Sequence, residues 1–194
     1  MPAIPRRRRT ATWPPLAGPL LPALAAAGLA LAPAAARAND RDLRGTPVPA
    51  AACVEVSRSG LTGNPWSGSF FGLDGAGKVL LLRCPLPVNN VDLSGNTDDN
   101  DLTSMRVHYR DSDGFGNGAI VTVTLVMVAA TAGDTVSTVV CEWNSNTNGT
   151  GSTTAAGATK ACVHDLAASA FYLLKVQLQS GAGITVQFLG VDFP

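Results

Sequence analysis

Residues 119–130 read Ala-Ile-Val-Thr-Val-Thr-Leu-Val-Met-Val-Ala-Ala, without charge, Pro or Gly. Such a run of β-branched and apolar residues predicts a central strand covered on both faces. The flanking chain alternates. Residues 102–110 put Met105, Val107 and Tyr109 on one face and Arg106, His108 and Arg110 on the other. Residues 171–179 put Tyr172, Leu174, Val176 and Leu178 inward, with Lys175, Gln177 and Gln179 outward. Shorter strands are predicted over 53–58, 66–72, 78–84, 135–143 and 184–193, the last with Gly190 as a bulge. Asp74-Gly75-Ala76-Gly77 and residues 111–118 carry turn chemistry, the second as a hairpin into the central strand. Residues 144–160 are almost purely Asn, Thr, Ser, Gly and Ala and predict a long exposed loop.

Eight or nine strands joined mostly by short turns, with no long helix, predict an all-β fold. The expected architecture is an antiparallel two-sheet β-sandwich. The Cys-to-Trp-to-Cys spacing of immunoglobulin domains is absent, so a jelly-roll-like arrangement is favoured over an immunoglobulin-like one.

The first 38 residues carry a different pattern. Arg6 to Arg9 precede an Ala/Leu-rich run over 16–36 that ends in Ala36-Arg37-Ala38. This predicts a secretory signal peptide over 1–38, cut before Asn39. Pro19, Pro22 and Pro33 interrupt the run and disfavour a membrane helix. Residues 39–52 lack periodicity and predict a flexible N-terminal arm, leaving 53–194 as the domain. Removing the signal leaves 9 basic against 14 acidic residues, a net charge of −5 instead of zero. An acidic chain without a Lys/Arg cluster is not expected to bind nucleic acid, nor a membrane once the signal is gone. The expected location is secreted or periplasmic, with the composition of exported bacterial β-proteins.

All four cysteines, Cys53, Cys84, Cys141 and Cys162, follow the signal. An even count in an exported chain predicts two disulfides, and four cysteines allow three pairings. Cys53–Cys84 and Cys141–Cys162 are favoured, each joining neighbouring strands around one long loop. No close pair of cysteines suggests zinc.

Candidate chemistry concentrates in two acidic loops. Residues 92–101 hold Asp98, Asp99 and Asp101, the densest group of hard oxygen ligands. Asp111-x-Asp113-Gly114-x-x-Asn117 resembles the Asp-x-Asp-Gly-x-x-Asp segment of several extracellular calcium-binding loops, with Asn in place of the last Asp. Calcium is the expected cofactor, with Asp98, Asp99 and Asp101 as candidate ligands by density of hard oxygens, and Asp111, Asp113 and Asn117 as the ligands the resemblance implies. The alternative is two solvated turns, since Asp, Asn and Gly are also turn residues. Phe115, between glycines at the turn's tip, and Trp66 are the candidate ligand contacts.

No nucleophile, metalloprotease or phosphate-loop motif is present in the sequence. His164 and Asp165 are adjacent, which in a strand points them to opposite faces. The expected function is a non-catalytic binding or extracytoplasmic structural module, with an extracellular or envelope glycan or protein as ligand. The alternative is a small secreted hydrolase acting on glycans or peptides through the loop aspartates.

Overall fold

The structure, a computed structural model, describes Leu43 and residues 45–86, 102–131, 134–167 and 170–194. The signal segment and Asp98, Asp99 and Asp101 lie outside the described residues.

The strands are β1 (Val48–Pro49), β2 (Val54–Ser59), β3 (Phe71–Asp74), β4 (Lys78–Pro85) and β5 (Leu102–Asp111). They continue with β6 (Ile120–Thr131), β7 (Asp134–Asn144), β8 (Ala156–His164), β9 (Ala170–Ser180) and β10 (Thr185–Asp192). A single helical turn, α1 (Ser145–Asn148), follows β7. Sheet A has the order β1-β10-β5-β8, with β3 sharing the β1 edge of β10. Sheet B has the order β2-β4-β9-β6-β7. All pairings are antiparallel. The chain is therefore an antiparallel two-sheet β-sandwich of jelly-roll type.

The alternation along each strand builds the core. Met105, Val107 and Tyr109 of β5 and Val186 and Phe188 of β10 are buried in sheet A. Leu80 and Leu82 of β4, Val121, Val123 and Leu125 of β6, and Leu174, Val176 and Leu178 of β9 are buried in sheet B. All belong to one cluster. Each fully buried side chain of this kind contributes roughly 1.5–3 kcal/mol relative to exposure.

Strand β6 departs from its prediction. It lies between β9 and β7, and Thr122 and Thr124 on its outer side stay half-exposed. The threonines mark the outer face, and β9 takes the middle of the sheet. The connection 112–119 is not a hairpin either. It carries the chain from β5 in sheet A to β6 in sheet B, as α1 with its following loop does from β7 to β8 and 181–184 does from β9 to β10.

The stretch before Cys53 is not a loose arm where it is described. Val48 and Pro49 pair with Val191 and Gly190, and Leu43, Val48 and Ala50 are buried. Three scattered apolar residues are enough to dock it, although they show no period. Gly190, at φ 152°, forms the expected bulge in β10. A Cβ there would lie 2.8 Å from the Val48 carbonyl oxygen, so the bulge and the docked segment depend on the same glycine.

The disulfides are Cys53–Cys84 and Cys141–Cys162. The first joins the start of β2 to its neighbour β4. The second, expected between neighbouring strands, instead links edge strand β7 of sheet B to edge strand β8 of sheet A.

Candidate functional site

The sheet-crossing segments meet around Asp111, the last residue of β5. Asp111 is fully buried, which is unusual for a carboxylate, and no cationic partner meets it among the described residues. Its Oδ2 accepts a hydrogen bond from Ser145 Oγ at 2.6 Å. Ser145, also fully buried, accepts in turn from the Val121 amide at 3.1 Å. One hydroxyl thus ties β5 of sheet A to β6 of sheet B. Ser145 is held by the caps of α1. The Asn144 side chain accepts from the Asn146 amide at 2.9 Å, and the Asn148 side chain accepts from the Asn144 amide at 3.2 Å.

Asp113 faces Asp111 from within the crossing segment. Its Oδ2 accepts from the Gly118 amide at 3.0 Å, and its main-chain carbonyl accepts from the Gly116 amide. The remaining oxygen of each carboxyl, Asp111 Oδ1 and Asp113 Oδ1, is buried and, the facing carboxyl aside, has no hydrogen-bond partner among the described residues. Burial, aided by the neighbouring Asp113 carboxyl and opposed by Ser145, pushes the Asp111 carboxyl up to about 6. Two carboxyls that cannot comfortably both be charged are therefore held side by side.

Glycines make this closeness possible. A Cβ on Gly116 would lie 2.5 Å from Asp113 Oδ2, and one on Gly114 would lie 2.8 Å from the Gly151 carbonyl oxygen. Gly114 also needs its positive φ of 69°. Phe115 is 58% exposed, with its ring edge against Gly151. Beneath lie Tyr109 and Trp143, buried and in edge contact at 4.7 Å. The Tyr109 hydroxyl accepts from the Thr150 amide at 2.8 Å and so pins the 149–155 loop. The expected long exposed loop over 144–160 is in fact a capped helical turn, a pinned connection and the start of β8.

The geometry sorts the sequence candidates. Asp111 and Asp113 are brought together. Asn117 is exposed on the same segment. Phe115 stands beside the pair, whereas Trp66 lies half-buried against Phe71 at 4.9 Å, at the edge of the core. The hydrolase alternative requires its aspartates to reach a substrate, and full burial withholds Asp111 from that role. His108 is not simply solvated between arginines, since its Nε2 lies 2.9 Å from Asp192 Oδ2. His164 meets the Tyr172 hydroxyl at 3.1 Å and not Asp165. Ser145 was invisible in the sequence, because nothing local marks one serine in a polar stretch as the partner of an aspartate 34 residues earlier.

The donor set suits a hard cation in kind. Two carboxylate oxygens without partners are what calcium takes, together with further carbonyl or water oxygens. It is short in number, because no group of three or more His, Cys, Asp or Glu gathers among the described residues.

No family model and no curated protein matches the chain. Among solved structures it is similar to a carbohydrate-binding module, CBM36, in complex with calcium and xylotriose. The identity is 15% and the TM-score 0.38, over 77% of this chain and 99% of the other. The fold described above rests on the strands and their pairing, not on this likeness.

Proposed function

We propose that the chain is an extracytoplasmic binding protein whose working surface is the sheet-crossing end built on residues 111–118. Asp111 and Asp113 would hold a calcium ion there, and the exposed ring of Phe115 would stack on an extracellular or envelope glycan. Two disulfides support an oxidising compartment, where such bonds persist. The observation that carries the reading is the pair of buried, unpartnered oxygens, Asp111 Oδ1 and Asp113 Oδ1. Polar atoms in a folded interior are nearly always satisfied, and a cation would satisfy both at once. The ion would supply charge neutralisation and hold the crossing segment in place. Asp111 and Asp113 would bind it, Ser145 and the Gly118 amide would orient the two carboxyls, and Phe115 would be presented to solvent beside them.

Thermal unfolding of the oxidised chain, in millimolar calcium and in excess chelator, tests this. A ligand that binds only the folded state stabilises it by about 2.7 kcal/mol at a hundred times its dissociation constant. The expected result is a raised Tm in calcium, lost in both Asp111→Asn and Asp113→Asn. An unchanged Tm would reduce the pair to a proton-sharing structural contact and leave Phe115 without an ion beside it.

A further inference from the structure

A second surface lies on the outer face of sheet B, away from the buried pair and independent of any ion there. It is a groove of about 320 Å³ across β4, β9, β6 and β7. Arg83, Lys175, Gln177, Thr122, Thr124 and Glu142 provide its polar lining, and Val56 and Leu81 form an apolar wall toward β2. The strand register explains the arrangement. Arg83 pairs with Lys175, Lys175 with Thr124, and Thr124 with Glu142, so these four form one row across the sheet. Gln177 pairs with Leu81 and with Thr122 in the next row.

Arg83 and Lys175 are thus like charges directly opposite each other, an arrangement that destabilises a sheet. Neither makes an ion pair or a hydrogen bond among the described residues. Glu142 lies in the same row two strands from Lys175, and no ion pair joins the two among the described residues. The two cations are left available to an anion from outside.

We propose that this groove binds a carboxylate-bearing sugar chain. Arg83 would hold a uronate carboxylate through its two parallel N–H donors, with Lys175 beside it as a point charge. Gln177, Thr122 and Thr124 offer donors and acceptors in the spread that successive sugar hydroxyls need, and the small apolar wall suits a ring face. A peptide fits less well. Extended peptides add to sheet edges through main-chain hydrogen bonds, and this groove lies over β4, β9 and β6, whose main-chain groups are already paired on both sides. Without its first 38 residues the sequence carries a net charge of −5, so attraction of a polyanion has to come from a local site.

The test is calorimetric titration of the oxidised chain with a polygalacturonate oligomer, a neutral glucan oligomer and poly-glutamate. Excess chelator throughout removes any calcium held by Asp111 and Asp113. Binding of the uronate oligomer alone is expected, weakened about tenfold or more by Arg83→Gln or Lys175→Gln. Thr124→Ala is expected to weaken it a few-fold with Tm unchanged, and Arg106→Gln on the other sheet to leave it as it is. Equal binding of poly-glutamate would reduce the groove to a charge site and overturn the assignment to sugar. Binding of the neutral oligomer as tightly as the uronate one, or no loss in the Arg83 and Lys175 variants, would overturn it as well.

Discussion

On the outer face of sheet A, Asp192 pairs directly with Arg106, and its carboxylate also reaches His108 at 2.9 Å. Arg106 in turn donates from Nε to Thr159 Oγ1 at 3.1 Å. On the outer face of sheet B, Arg83 pairs with Lys175, and neither has a partner among the described residues. Both faces come from the same alternation of inward apolar and outward polar residues. They differ in whether charge is answered within the protein. Sheet A answers part of its charge through His108 and Asp192, although Arg110 Nε and Asp192 Oδ1 stay without a hydrogen-bond partner among the described residues, whereas a face that sets like charges side by side gains by binding an anion.

The largest effect expected from breaking this comparison lies beneath both faces. Ser145→Ala removes the hydroxyl that joins Asp111 of sheet A to Val121 of sheet B. It leaves a buried carboxylate oxygen and a buried amide unsatisfied, at a cost of about 1–3 kcal/mol, more if Asp111 stays charged. Denaturant unfolding measures this directly. A loss below about 0.5 kcal/mol would mean that the two sheets do not depend on this tie.

A second effect is a slope of stability with pH. The folded Asp111 carboxyl titrates at about 6 against 3.8 when unperturbed, so the folded state holds its proton more tightly than the unfolded state does. The resulting stabilisation is fully present below about pH 4 and is lost as pH rises through 6. Unfolding in chelator at about pH 4.5 and about pH 7 should show the loss, and Asp111→Asn should flatten that part of the profile. An unaltered profile in the variant would place the titration elsewhere.

The smallest effects come from exchanging the character of the faces. Asp192→Lys makes sheet A resemble sheet B and should cost roughly 0.2–1 kcal/mol. Lys175→Glu makes sheet B resemble sheet A and should stabilise by a similar amount while removing uronate binding. Opposite signs in the two variants, read by denaturant unfolding, would sharpen the contrast, and equal signs would erase it.

The fold class and the strand faces follow from the sequence, because each depends on local or near-local signals, whereas the favoured Cys141–Cys162 bridge holds for another reason than the one expected, joining two sheets and not neighbouring strands. The alternation along 102–110 and 171–179 names which residues face the core whatever the topology, and the burial of Met105, Val107, Tyr109, Leu174 and Val176 follows from it. The candidate site was partly legible. Asp111, Asp113 and Phe115 announced themselves through composition and glycine spacing. That Asp111 is buried and Phe115 exposed did not, because burial depends on which segments cross at that end. The long-range partners were settled only by the tertiary structure. It made residues 112–119 a crossing between sheets and not a hairpin, and it brought Ser145 under Asp111. It also set Arg83 of β4 opposite Lys175 of β9, two residues far apart along the chain. A period of two tells a side chain which face to take. Only strand order and register, set by packing the whole core, decide which neighbour it meets there.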